Sequence, residues 1–138
     1  MIQPFEYRHR VRYRECDPMG RAYHTHCLDW FEAARTEALR DLGIAYKELE
    51  DDGIIMPVVD VSVRYRRAIL YDDVITVQTR FEDLPPRTRV GITYEIFTEA
   101  STAPAITGHV TLCFVDTLKN RPISAPERIL NAFAGVSG

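Results

Sequence analysis

Residues 25–42, THCLDWFEAARTEALRDL, decide the fold, because their apolar side chains recur at helical spacing. Cys27, Phe31, Ala34, Ala38 and Leu42 follow one another at steps of four and three, while Asp29, Glu32, Glu37 and Arg40 fall elsewhere on the wheel. The pattern predicts a long amphipathic helix. Asp29 in the first turn and Arg40 in the last complement its dipole, and Gly43 is placed to end it in a left-handed conformation. Ala34 and Ala38 leave little bulk on the buried stripe, so a sheet can approach the helix backbone closely.

Working outward, the period changes from helical to two. Phe5, Tyr7, Val11 and Tyr13 alternate with Arg8, Arg10, Arg12 and Arg14, which predicts a strand from Phe5 to Glu15 with one buried face. Asp17, Pro18, Met19 and Gly20 carry the residue preferences of a type I turn that reverses the chain before the helix. Beyond the helix, a short polar helical piece at Ala45–Glu50 precedes four segments rich in Val, Ile, Thr, Tyr and Phe: Ile55–Arg67, Asp73–Glu82, Thr88–Thr98 and Ala105–Asp116. Their short connections favour antiparallel neighbours in one sheet, since parallel pairs need long crossovers. Ser124 and Glu127 have capping-box spacing ahead of a short final helix. The fold class is α+β, with one helix covering part of a twisted sheet, and the uncovered apolar surface and strand edges predict self-association.

A chain of 138 residues, 46% apolar and 27% charged, fits one domain over 1–138 and excludes collagen-like and disordered classes. Its net charge of -3 supplies no field to gather nucleic acid or an anionic membrane. The arginine face of the first strand has no interleaved aromatic platform and reads as solvated. No apolar run approaches the roughly 20 residues of a membrane span, and the start of the chain has no export pattern. Three cysteines without paired spacing favour a reducing, cytoplasmic location.

Reactive side chains are densest between Cys16 and Cys27, where Asp17, Tyr23, His24 and His26 precede the helix. The first turn of a helix offers unpaired N–H groups and partial positive charge, which can stabilise an oxyanion. Asp17 would add a carboxylate as base or nucleophile, although residue types alone favour its merely capping the turn. Such an apparatus suits acyl transfer from a thioester, whose thiol leaves as thiolate without a strong general acid. Zinc is disfavoured because Cys16, Asp17, His24, His26 and Cys27 match no usual ligand spacing. A Cys27–His24 nucleophilic pair is disfavoured because Cys27 sits on the apolar stripe.

The run CDPMGRAYHTHCLDWFEAARTEALRDLG, with the later MPVVDVSVRYRRAILYDDVITV, resembles hotdog-fold acyl-CoA thioesterases of the 4-hydroxybenzoyl-CoA thioesterase superfamily, especially the branch encoded beside Tol-Pal genes. The resemblance spans roughly Phe5 to Phe133 and rests on Asp17, Gly20, Tyr23, His24, Glu32, Arg35 and Glu37. It implies a five- or six-stranded antiparallel sheet wrapped round the helix, homodimers joined edge to edge with active sites at the interface, and homotetramers. It also implies that Asp17 is the catalytic carboxylate, that the N–H of His24 faces the thioester oxygen, and that Tyr23 and the His24 side chain complete the catalytic set. Gly20, His26, Met56 and Val58 are the expected substrate-binding residues, with Arg66, Arg67 and Arg89 among the arginines suited to coenzyme A phosphates. No cofactor or metal is expected, coenzyme A being part of the substrate. His26 and Cys27 stand where branch members commonly carry Asn and Tyr, and Met19 and Arg21 where they carry Gly or Ala and Val, which bears on substrate shape. Arg21 reads as a solvated loop residue. A second branch places its carboxylate on the helix, but Glu32 reads here as a partner of Arg35 three residues on. A non-catalytic thioester-binding protein and a dehydratase are the alternative classes.

Overall fold

Alternating apolar residues in five segments build the frame on which everything else is placed. The computed structural model describes residues 4–135. Along the chain come β1 (Phe5–Arg10), α1 (His26–Asp41), α2 (Tyr46–Asp51), β2 (Ile54–Ile55), β3 (Val58–Tyr65) and β4 (Val74–Glu82). They are followed by β5 (Arg89–Thr98), β6 (Ile106–Cys113), β7 (Val115–Asp116), β8 (Arg121–Pro122) and α3 (Glu127–Ala134). The five longer strands form one antiparallel sheet in the order β1-β4-β5-β6-β3, as the short connections predict.

Every second residue of β4, β5 and β6 is buried, among them Ile75, Val77, Ile92, Ile96 and Leu112, and α1 lies across that face. The helix buries Cys27, Trp30, Phe31, Ala34, Ala38 and Leu39, which is the predicted stripe widened by Trp30 and Leu39. Close approach is built in at Gly108, where a Cβ would sit 2.5 Å from the Phe31 ring. Phe31 stacks flat on Tyr94, with centroids 4.2 Å apart and planes at 12°. Gly43 ends the helix at φ +88°, as its position predicts.

Five expectations are corrected. The first strand stops at Arg10 and the chain enters a 3-10 turn at Tyr13–Glu15, leaving Tyr13 80% exposed. The cause is Glu15, whose buried carboxylate accepts from the Arg12 N–H at 2.7 Å and Trp30 Nε1 at 2.9 Å and contacts His9 Nε2 at 2.8 Å. The expected second strand is split between β2 and β3 by Pro57, and the last long strand is interrupted at buried Phe114. The pieces beyond those breaks, β2 and β7, pair with each other and β7 also pairs with β8, so a three-stranded sheet, β2-β7-β8, stands beside the main one. Ser124 does not cap α3, because Ala125 is tied to the Arg87 carbonyl and the helix opens after Pro126. Finally, Arg35 is buried and makes no ion pair with Glu32.

Burial alone would raise the Glu15 pKa, but its three hydrogen bonds more than offset this and hold it below the ordinary value of 4.5. A carboxyl depressed in the folded state adds stability that is complete above its unfolded pKa and lost as pH falls through the folded one. Glu15→Gln turns one acceptor into a donor among donors and is expected to cost about 1–3 kcal/mol at pH 7. In urea titrations, the gap between the two proteins should narrow steadily as pH is lowered past 4.5.

The two edges of the main sheet differ. Along β1 the exposed arginines include Arg10, which reaches Asp72 at 3.3 Å. β3 is an eight-residue edge on which every residue except Val63 is exposed, and Val58, Val59 and Val61 give it an apolar surface.

Candidate active site

The turn at 17–20 forms as predicted: the Gly20 N–H donates to the Asp17 carbonyl at 3.0 Å, and Gly20 has φ +79°. Asp17 then closes the loop, its N–H donating to the Arg21 carbonyl at 2.8 Å. Its side-chain Oδ1 accepts from the Met19 and Arg21 N–H groups at 2.9 and 3.2 Å. Oδ2 has no partner among the described residues, so half the carboxylate is committed to the turn and half is free. The turn-capping reading of Asp17 is thus observed at Oδ1, and Oδ2 is left open to a ligand.

The chain next crosses to the mouth of α1. The Tyr23 N–H donates to the Glu15 carbonyl and the His26 N–H to the Tyr23 carbonyl, at 2.8 and 3.1 Å. The N–H groups of His24 and Thr25 donate to no group among the described residues, and Thr25 supplies no side-chain cap. Two unpaired donors thus stand at the positive end of a 16-residue helix. The Tyr65 hydroxyl donates to the His24 carbonyl at 2.6 Å, and Cys27 Sγ lies 3.3 Å from the same oxygen. Burial pushes the Cys27 thiol pKa up, which keeps it protonated and argues against a nucleophilic role.

These pieces face one cavity of about 480 Å³. Of the residues proposed from sequence, Asp17, Tyr23, His24, Arg66 and Arg67 line it. The Tyr23 and His24 rings lie 4.4 Å apart at its rim, and Trp30, Ile69 and Ile106 supply apolar wall. Arg21, read from sequence as solvated, lines it too, so three arginines contribute to its wall.

Gly20, His26, Met56, Val58 and Arg89 are not brought into this cavity. Gly20 serves the turn, and His26 faces a separate depression, with Nδ1 3.1 Å from Asp29 Oδ2. Met56 is buried in the core, and Val58 lines a groove between β3 and α1 with Leu28 and Val61. Arg89 pairs in register with Cys113, whereas Arg66 is bonded to Ala105, so the two lie at opposite ends of β6, on the order of 20 Å apart. Tyr65 and Trp30 belong to the site but were not assigned to its chemistry from sequence. Nothing in its spacing marks Tyr65 as more than the end of a strand. Among the described residues no three His, Cys, Asp or Glu side chains converge as a metal site.

The thioesterase-like superfamily matches the chain over residues 11–133. An acyl-CoA thioesterase, YbgC, of Haemophilus influenzae is 30% identical over 94% of this chain and 93% of its own. A putative acyl-CoA thioesterase, YneP, of Bacillus subtilis is 41% identical, but the match spans only 53% of each chain. Among solved structures, a DHNA-CoA thioesterase from Staphylococcus aureus superposes with a TM-score of 0.89 and 33% identity, covering 97% of this chain and 91% of that one.

Proposed function

The chain belongs to the thioesterase-like superfamily, and on that membership we propose that it hydrolyses acyl- or aroyl-CoA to the free acid and coenzyme A. The observation that carries the reading is the convergence of the Asp17 carboxylate and the helix mouth at His24 on one cavity lined by Arg21, Arg66 and Arg67. The hotdog architecture and the relatives' names agree with it.

In this mechanism the thioester carbonyl oxygen accepts from the His24 N–H at the positive end of α1. One such donor, aligned on the developing oxyanion, contributes about 2.7–4 kcal/mol to the transition state. Asp17 Oδ2 either draws a proton from a water that adds to the carbonyl carbon, or itself adds there and, once the thiolate has left, forms an anhydride that water cleaves to the free acid and the restored carboxylate; both routes begin from the same placement. The thiol, with a pKa near ~8.5, departs as thiolate, so no general acid is needed. Tyr23 and the His24 ring flank the reacting group, Arg21, Arg66 and Arg67 meet the phosphates, and the chemistry uses protein groups alone.

The working unit in this reading is a homodimer joined along β3. A two-fold axis normal to the sheet runs the two β3 strands antiparallel, which brings the Val58 end of one beside the Tyr65 end of the other. Met56, Val58 and Arg89 all lie at that far end. A second copy would therefore carry them toward the cavity that one chain lines without them. By family resemblance two dimers join as a homotetramer, and the enzyme works in the cytoplasm on acyl-CoA, with no nucleic-acid partner. No described helix is long and apolar enough to cross a membrane.

Thiol release from a panel of short-chain, long-chain and aromatic CoA thioesters tests the activity. Turnover of at least one is expected. Tight binding without release would instead make the protein a thioester sensor, and loss of a β-hydroxyl with the thioester retained would make it a dehydratase.

A further inference from the structure

We propose that Tyr65 is a positioning residue for hydrolysis: its hydroxyl, by holding the His24 carbonyl, fixes the peptide planes that present the unpaired N–H groups to the thioester. This inference rests on the hydrolase reading above. His24 lies between two peptide groups. The first carries the His24 N–H, and its carbonyl, from Tyr23, is held by the His26 N–H at 3.1 Å. The second carries the Thr25 N–H, and its carbonyl, from His24, is held by the Tyr65 hydroxyl at 2.6 Å. A trans peptide is planar, so anchoring each carbonyl sets the direction of the N–H across the same plane. Both donors are left free, and both are aimed by bonds made behind them.

The anchor is firm on its own side. Tyr65 closes the β3–β6 ladder opposite Ile106, and the next residue, Arg66, donates its N–H to the Ala105 carbonyl at 2.8 Å. The loop is tied up to Tyr23, where the Ala22 and Tyr23 N–H groups donate to the Ile69 and Glu15 carbonyls, but the N–H groups of His24 and Thr25 have no such bonds, so Tyr65 lends this last stretch the rigidity of the sheet. Packing does not explain the contact, because Tyr65 is 52% exposed and yet its hydroxyl makes a short hydrogen bond. Nor is Tyr65 placed to act as an acid, since its one proton is committed to the His24 carbonyl. Desolvation of the hydroxyl where it meets the His24 carbonyl, followed by the neighbouring Cys27, pushes its pKa up to about 12, so it stays a neutral donor at pH 7. Cys27 Sγ, 3.3 Å from the same carbonyl, adds a second and weaker restraint. Because Tyr65 is also the last residue of the exposed β3 edge, the same bond links the proposed dimer seam to the oxyanion donors.

Tyr65→Phe removes the hydroxyl and keeps the ring. In steady-state thiol release the expected result is a fall in kcat of about tenfold or more, with KM within about twofold, because the lost alignment matters only as charge develops on oxygen. Hydrogen exchange at residues 23–28 should accelerate while the rest of α1 and the melting temperature stay close to wild type. Full kcat in the variant overturns the inference, as does a rise in KM alone or a loss of kcat matched by general loosening of the fold. If the wild-type protein hydrolyses no thioester in the panel, the hydrolase reading fails first. The exchange comparison then decides the positioning by itself, and unchanged exchange at 23–28 overturns it.

Discussion

Asp17→Asn is expected to lower kcat on the best thioester substrate by about 10²–10⁴-fold while leaving KM nearly unchanged. The substitution is unusually clean because the two carboxylate oxygens have separate duties. An asparagine carbonyl can take over Oδ1, which accepts the Met19 and Arg21 N–H groups, so the turn and the loop beyond it are retained. What disappears is the charge on the oxygen without a partner, the atom that must act on water or on the carbonyl carbon. Thiol release and thermal melting, measured side by side, separate lost chemistry from lost structure. The rival carboxylate provides the control. Glu32 is exposed on α1 beside the β3 groove, not in the cavity. Glu32→Ala should therefore stay within a few-fold of wild type, and loss of turnover in it with survival in Asp17→Asn would reassign the catalytic group.

The second large effect is expected at the strand edge. Val61 stands midway along β3, over the groove it lines with Leu28, Phe31 and Val110, and it is 42% exposed in the single chain. Aspartate there costs the isolated subunit little. At a two-fold seam it would bring two carboxylates together out of water, at a penalty of several kcal/mol, on the order of the effective cost for a buried ion. Val61→Asp should sediment as a folded monomer and lose about 100-fold or more in kcat/KM, because each site would lack the Val58 and Arg89 of its neighbour. A folded monomer with full activity would show that one chain holds a complete site.

How far the sequence could be read depended on the range of the interactions. The helix at 26–41 and the turn at 17–20 are written in local spacing and in Gly20 and Gly43, and both stand where they were expected. The strands followed from alternation and short connections, both also local. Their breaks did not, because Glu15 ends β1 through bonds to His9 and Trp30 that no period encodes. Arg35 looked like an exposed partner for Glu32 because charged helix residues usually face water, and only tertiary packing turns it inward.

The site divides along the same line. Asp17, Tyr23 and His24 lie within eight residues of one another, so a motif could gather them. Tyr65 reaches His24 across 41 positions of chain and leaves no sequence trace of the contact. Met56 and Val58 were expected to shape the pocket and Arg89 to suit a phosphate by its guanidinium, and a single chain keeps all three away from the cavity. They lie at the Val58 end of the exposed β3 edge, a grouping that spans strands distant in sequence and that no local spacing encodes.

The most direct measurement is a crystal structure of the protein with a non-hydrolysable CoA ketone in place of the thioester. The expected complex has the ketone oxygen accepting from the His24 N–H, its carbon facing Asp17 Oδ2, and the phosphates among Arg21, Arg66 and Arg67. A ketone seated in another groove, or in this cavity with its oxygen turned from the mouth of α1 and away from Asp17, would contradict the account.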